Sequence, residues 1–358
     1  MPSTASSTPL TGLGLPILRA RVTMRLLANA QLPSYQGAML RGGFGVAFKR
    51  ASCPQTCWNH PSGCAIDALC PYRWVFETPH PPGVSHLHDL QDVPRPFVLE
   101  PPHEQRTHYA AGDALEFGLV LIGRGIDHLP YFLFSFEQLG RLGLGGARTP
   151  ARLERVEALR PWQPVGVTIY QDGRVVSTTD HRPPTTDHRK TKRPRTTDDG
   201  PQTADGLPLL DAATITARAA ALPADLRLTL RTPLRVKARG AFIEAIDLPA
   251  IVQAVCWRLN ALATFHGDGP WEVDHRALVA QAREVAVEAA QARWVDWERT
   301  SSRGPQPRSM KLGGIVGGAL LRGVPAEMRA VLLAGSLVHV GKACVFGHGE
   351  YRVEQVTG

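Results

Sequence analysis

The sequence predicts an α+β chain made of two similar units in tandem. Three observations predict it. A polar, low-complexity segment divides the 358 residues near their middle. The order strand, helix, strand, strand, helix, strand is read on either side of it. A glycine-rich stretch follows the last helix of each unit.

The dividing segment is TTDHRPPTTDHRKTKRPRTTDDGPQTADG, residues 178–206. It has no aromatic residue, Ala204 as its one apolar residue, and abundant Pro, Thr and charge. That composition predicts a disordered linker or loop. TTDHR occurs at Thr178 and again at Thr185, which reads as a low-complexity expansion and not a folded repeat. The expected organisation is a flexible N-terminus (1–15), a first domain (16–177) with a four-cysteine insertion (53–70), the linker (178–206), and a second domain (207–358) with a glycine-rich loop (335–349).

In the first unit Ala20, Val22, Met24 and Leu26 alternate with Arg21, Thr23 and Arg25, a strand with one basic face. A helix is expected over 35–50, strands over 74–77, 97–100 and 115–122, and a helix over 131–142 that runs into the turn GRLGLGG. In the second unit Leu226, Leu228 and Leu230 alternate with Arg227, Thr229 and Arg231, and the strand continues to 237. Helices are expected over 248–265 and 275–292, strands over 294–297 and 315–321, a helix over 325–338 with Pro at its first turn, and a last strand over 351–356. This order is that of the ferredoxin-like (RRM-like) split βαβ unit, present twice.

Apolar residues make up 43% and charged residues 20%, a globular composition. The net charge is +8 and only +1 of it falls in the linker, so the basic excess belongs to the two units. That favours a polyanionic partner. No apolar run reaches about 18 residues, so no membrane span and no membrane partner are expected. The chain opens MPSTASSTPL, without a basic start and apolar core, which makes the cytoplasm the expected compartment. Six cysteines are too few for a disulfide scaffold.

The terminal stretch GSLVHVGKACVFGHGEYRV is not a phosphate-binding P-loop. Five residues separate Gly335 from Gly341, Ala343 stands where Ser or Thr would hold magnesium, and the loop follows a helix and precedes a strand. Gly341, Gly347 and Gly349 would still let backbone N–H groups approach a phosphate, with Lys342 adding charge and His339 a titratable group. A plain tight turn would use the same glycines. Cys53, Cys57, Cys64 and Cys70, in CPQTCWNHPSGCAIDALC, suggest a structural metal knot. Tetrahedral zinc is the simplest occupant and an iron–sulfur cluster fits the ligand count; four unligated thiols are the alternative. His60 inside this loop reads as a general base, a ligand replacing one cysteine, or an exposed histidine. His86, His88, His103 and His108 read as surface. In LRTPLRVKARG, Arg231, Arg235, Lys237 and Arg239 form either a solvated face or a phosphate track.

YQGAMLRGGFGVAFKR, YFLFSFEQLGRLGLGG, LRTPLRVKARG, SMKLGGIVGG and the terminal LVHVGKACVFGHGEYRV together resemble the CRISPR precursor-RNA processing endoribonucleases, the CRISPR-associated protein 6 type of the RAMP superfamily. The resemblance implies tandem ferredoxin-like domains that bind CRISPR repeat RNA. It also implies a metal-independent endoribonuclease, in which a 2′-hydroxyl attacks the adjacent phosphate and leaves a cyclic phosphate and a 5′-hydroxyl. Carried onto this sequence, the catalytic candidates are His60, Tyr35 and Lys49, with His339 as the rival centre. The RNA-binding candidates are Gly341, Lys342, Gly347, Gly349, Lys237, Arg239 and Arg41. No cofactor is expected in catalysis, and other CRISPR effector subunits are expected partners. Two alternatives stand beside this reading: a non-catalytic RAMP subunit that holds guide RNA in an effector complex, and a zinc-containing or DNA-binding module.

Overall fold

The computed structural model describes residues 10–53, 70–80, 87, 90, 92–176, 206–301 and 308–356. His60, Cys57 and Cys64, and the predicted linker apart from Gly206, lie outside them.

The first unit contains β1 (Ile17–Leu26), α1 (Gly37–Ser52), α2 (Pro71–Phe76), β2 (Phe97–Glu100), β3 (Ala114–Ile122), α3 (Leu129–Leu142) and β4 (Ala151–Leu159), followed by β5 (Gly166–Gln171) and β6 (Arg174–Val175). Its antiparallel sheet runs β2-β3-β1-β4-β5-β6. The second contains α4 (Ala212–Ala220), β7 (Leu226–Leu234), α5 (Leu248–His266), α6 (His275–Glu284), β8 (Ala286–Val295), β9 (Glu298–Ser301), β10 (Arg308–Lys311), β11 (Gly314–Arg322), α7 (Ala326–Val338) and β12 (Tyr351–Gln355). Its sheet runs β8-β11-β7-β12. In both sheets the first strand lies between the third and the fourth, and the second strand lies outside the third. This is the ferredoxin-like arrangement, found twice.

The alternation in β1 buries Leu18, Ala20, Val22, Met24 and Leu26 against the helices. There an aromatic cluster of Phe44, Phe48, Phe76, Phe97, Phe132 and Phe136 forms the centre, with Phe44 and Phe132 stacked at 5.2 Å. The opposite face of β1 is not the unpaired basic surface its sequence suggests. Arg19, Arg21 and Arg25 are met by Glu100, Glu157 and Glu154 from neighbouring strands.

Three expectations are corrected. Residues 74–77 do not form a strand: 71–76 are helical, with Pro71 at the first turn and Val75 and Phe76 in the core. The helix expected over 275–292 ends at Glu284. From Ala286 the chain pairs with β11, sheet pairing overriding the helix propensity of an alanine-rich run. The strand expected over 294–297 is the end of β8, which stops at Val295, and the next strand begins at Glu298.

The two units share apolar packing. Leu10, Leu13 and Leu15, from the segment expected to be flexible, are buried with Val98, Val120 and Ile122 in one cluster with the second unit's core. The α5 helix is long and apolar enough to cross a membrane by composition, and 72% of its most apolar window is buried inside the fold. It is the central core helix.

Candidate active site and nucleic-acid cleft

The glycine-rich loop is wedged between the two units, and its glycines serve that packing. Gly347 has a φ of +85°, and a Cβ there would stand 2.2 Å from Pro101 Cδ of the first unit. Gly349 has a φ of +72°, and a Cβ would stand 1.8 Å from the Val340 carbonyl oxygen. Their N–H groups donate to the carbonyls of Cys344 and Pro233. Gly347 and Gly349 are buried and hold the loop instead of cradling a phosphate. Gly341 lies against Arg235. Lys342 is exposed beside it, its N–H donating to the Arg235 carbonyl. Exposed Lys237 and Arg239 lie in the short hairpin that follows. There Phe242 packs 4.2 Å from the Arg235 guanidinium and 5.3 Å from Lys237 Nζ. Lys342, Lys237 and Arg239 therefore do share one basic corner.

His339 is wholly buried at a φ of +57°. Its Nδ1 is 3.0 Å from the His348 carbonyl, and its Nε2 is 3.1 Å from Glu100 Oε1 across the interface between the units. Glu100 also accepts from Arg19 at 3.1 Å. The Arg19 charge and the His339 bond hold the Glu100 carboxyl well below the usual carboxylate range, against the opposing effect of burial. Both ring nitrogens of His339 are engaged and closed to solvent. The loop histidine is a structural tie, not an accessible base.

Tyr35 and Lys49 stand at opposite ends of α1, about 20 Å apart at 1.5 Å per residue. Lys49 Nζ lies 5.2 Å from the Tyr72 ring. Arg41 packs its guanidinium 4.5 Å from Phe76 and 5.5 Å from Phe97. Neither joins Tyr35 in a site. Tyr35 itself reaches the junction. Its hydroxyl donates to the Phe346 carbonyl at 2.7 Å, and its ring meets Trp297 and His348 edge-on at 4.8 and 5.2 Å. Burial, reinforced by the nearby Glu350 carboxylate, raises its pKa, so the phenol stays neutral.

Beside Tyr35 opens a cleft of about 880 Å³ over the solvent face of the second sheet. Tyr35, Pro101, Pro102, His103 and Gln105 form one wall. Arg227, Thr229 and Arg231 of β7 and Gln291 and Arg293 of β8 form the floor. Two groups that sequence reasoning passed over meet between this cleft and the hollow beside it: His103 Nε2, on the cleft wall, is 3.3 Å from Oε2 of Glu350, which lines the hollow. The His103 side chain is 40% exposed and that of Glu350 9%. Glu350 is fixed because its N–H donates to Thr232 Oγ1 and its carbonyl accepts from Arg231. His348 lines the same cleft fully buried, and burial pushes its pKa down to about 4. A neighbouring hollow of about 700 Å³ continues past Arg227 to Arg19, Arg160, Trp162, Arg218 and Arg352.

Cys53 is half-buried and Cys70 buried, and neither is in a disulfide. Among the described residues no group of three or more His, Cys, Asp or Glu is placed to hold a metal, so the zinc expectation finds no support there.

Residues 228–351 match the family model of the CRISPR-associated endoribonuclease Cas6, and residues 15–183 match a model described as an N-terminal domain. The fold is similar to a chain of a partial Cas6-RT-Cas1–Cas2 complex, with a TM-score of 0.55 and 13% identity over 96% of this chain and 46% of that one. A Cas6-RT-Cas1–Cas2 complex gives the same TM-score and identity, with 29% of its chain covered. The chain thus spans less than half the length of these two. A Cas6 product complex has a TM-score of 0.51 and 15% identity, over 95% of this chain and all of that one. No curated protein matches the sequence.

Proposed function

We propose that this chain, which resembles the CRISPR-associated endoribonuclease Cas6 family, cuts CRISPR repeat RNA in the precursor transcript to yield guide RNAs. The observation that carries the reading is the cleft: His103, 3.3 Å from Glu350, on the wall of an arginine-lined groove, on a tandem ferredoxin-like fold whose second unit matches the Cas6 family model.

The chemistry follows from what the groove holds. His103 takes the proton from a ribose 2′-hydroxyl, and the freed oxygen attacks the adjacent phosphorus. The bond to the 5′ oxygen breaks, leaving a cyclic phosphate on one fragment and a 5′-hydroxyl, once protonated, on the other. Glu350, 3.3 Å from the ring, supports its charge when it is protonated. Arg231 and Arg293 balance the charge of the phosphorane. No step calls for a metal ion. Tyr35 forms the wall and fixes the loop. Lys342, Lys237 and Arg239 offer a phosphate track along the adjoining corner. Further CRISPR subunits are expected partners of the assembled protein.

The test is incubation of the protein with repeat RNA and a scrambled hairpin in excess EDTA. A single cut in the repeat with a 5′-hydroxyl end, lost in His103→Ala, supports the reading. Loss in His60→Ala alone moves the base to the cysteine loop. Tight, selective binding without a cut makes the chain a guide-holding subunit.

A further inference from the structure

The cleft contains one titratable side chain that the proposed chemistry leaves unused. His348 has no exposed surface, and neither of its ring nitrogens has a hydrogen-bond partner among the described residues. That is uncommon, because a buried polar group that bonds nothing is costly. Its main chain, by contrast, is held on every side. The His348 carbonyl lies 3.0 Å from His339 Nδ1, the Gly347 carbonyl accepts from Thr232 Oγ1 at 2.7 Å, and the Gly349 N–H donates to the Pro233 carbonyl. The imidazole is fixed in place with both of its polar atoms unused.

What covers the ring is aromatic. Tyr35 meets it at 5.2 Å and Trp297 at 4.9 Å, and the rings of Tyr35 and Trp297 meet each other at 4.8 Å. All three side chains line the cleft. Tyr35 is anchored through its hydroxyl to the Phe346 carbonyl. Trp297 lies between two sheets and belongs to neither: β8 ends at Val295 and β9 begins at Glu298. The β9–β10 ribbon pairs with itself and, among the described residues, with no other strand. Two short connections, Asp296–Trp297 and Leu312–Gly313, join it to the second sheet. A tilt of the ribbon carries the indole off the imidazole and leaves Tyr35 in place.

We infer that Tyr35, Trp297 and His348 form a slot for one nucleobase of the RNA strand in the cleft, entered when Trp297 swings aside, and that His348 reads the edge of that base. The inference rests on the proposed binding of repeat RNA. Unstacked bases are recognised by stacking on aromatic rings and by hydrogen bonds to their edges. Tyr35 and Trp297 supply the rings. A neutral imidazole supplies one donor and one acceptor, and burial keeps this one neutral, with its pKa pushed down to about 4. The chain also places the slot relative to the cut. His348 stands two positions before Glu350, at most about 7 Å along the backbone, and Glu350 is 3.3 Å from His103. A base held there belongs to a nucleotide beside the phosphate that reaches His103. The slot therefore sets which phosphate is cut.

The experiment measures binding of the full chain to a set of repeat RNAs, each with one nucleotide made abasic. All carry 2′-fluoro sugars, which remove the attacking hydroxyl. With the unaltered chain, one abasic position or two adjacent ones should weaken binding by about tenfold, the usual value of one stacked base. His348→Leu should remove much of that penalty and leave the other positions as they were. His348→Gln, whose amide keeps a donor and an acceptor, should retain it. A 2-aminopurine at the sensitive position should lose fluorescence on binding, and lose less with Trp297→Ala. Thermal melts establish that each variant is folded; should His348→Leu not fold, the Trp297→Ala signal decides. A scan in which no position stands out overturns the inference. So does a penalty that His348→Leu leaves intact, or a 2-aminopurine signal indifferent to Trp297→Ala. Unmodified repeat RNA, tested for cutting alongside, separates the two readings. A working slot without a cut overturns the activity alone, and a cut without a sensitive position overturns the slot alone.

Discussion

Two histidines face glutamates across the junction at nearly the same distance, and they do opposite things. His339 is 3.1 Å from Glu100 and His103 is 3.3 Å from Glu350. His339 is sealed: no surface is exposed, its second nitrogen faces a backbone carbonyl, and its glutamate is shared with Arg19. His103 opens onto the cleft, with only its carboxylate partner buried. The same pair of side chains is sealed in one place and open to the cleft in the other, where the proposed mechanism uses it as an acid–base group. Access decides which, and access is a property of the packing. The conspicuous motif marks where backbone and glycines are most constrained, and the proposed acid–base group lies next to it.

The largest expected effect tests that division. His103→Ala should lower repeat-RNA cleavage by about 10²–10⁴-fold, the usual value of a general acid–base group, with little change in the thermal midpoint. His339→Ala should do the reverse and lower the midpoint, while the folded fraction retains cleavage. Single-turnover rates read beside melting curves separate the two. A His339 variant that is stable and inactive would break the comparison.

Next in size is the tie itself. Glu100→Gln removes the negative charge between Arg19 and His339. Breaking a buried pair is costly, and the partial exposure of Arg19 reduces the effect, so about 2–3 kcal/mol of stability should be lost. Urea unfolding would measure it. A loss below about 0.5 kcal/mol would mean that the interface is held by its apolar contacts alone.

The sealed region also predicts a pH dependence. Burial pushes His266 and His348 down to about 4, from an ordinary value near 6.5. Above pH 6.5 both states carry neutral rings and stability is unaffected. Between 6.5 and 4 the unfolded chain binds protons that the folded chain refuses, so stability falls as pH falls. Each ring contributes on the order of 3 kcal/mol once pH is below both values. Unfolding midpoints at pH 7 and pH 5 should differ, and His266→Gln should reduce the difference. His266 accepts no substitute easily, since its ring nitrogen lies 2.6 Å from the Pro94 carbonyl. The slope should therefore be compared, not the absolute stability.

Much of the fold was legible because period and punctuation agreed. The alternation in β7 placed its start and overran its end at Leu234 by three residues, and the Pro at the start of α7 and the glycines after it placed that helix within a residue. The β8 strand was misread because AVEAAQARWV carries no strand-forming pattern and is held in place by β11. The site was less legible. Tyr35 was singled out from the sequence and lies at the junction, while Lys342, Lys237 and Arg239, singled out as RNA-binding candidates, lie near Arg235 in the second unit. Lys49 was not separable from Tyr35 by sequence distance, although a helix carries them about 20 Å apart. His103 gave no signal of its own: its partner Glu350 is 247 positions away, and only the pairing of two folded units brings them together. A signal did exist in the glutamate that ends the glycine-rich motif, a charged residue placed where a strand begins to be buried.

The smallest effect concerns Tyr35, which belongs to both regions: its ring walls the cleft and its hydroxyl ties down the loop. Tyr35→Phe removes the hydroxyl and leaves the Phe346 carbonyl without that donor, at a cost of about 1 kcal/mol. The ring keeps its contacts with Trp297 and His348, so the wall survives. The hydroxyl proton is committed to a carbonyl and the phenol is held neutral, so it is poorly placed to give a proton to a departing 5′ oxygen. Cleavage by the variant should then fall less than tenfold at saturating RNA, with an unchanged pH profile. A loss of a hundredfold or more, together with the disappearance of the alkaline limb of that profile, would make Tyr35 the acid. It would also require the loop to release the hydroxyl when RNA binds. The sealed half of the junction would then open during the reaction, and the contrast between the two histidines would describe only the resting protein.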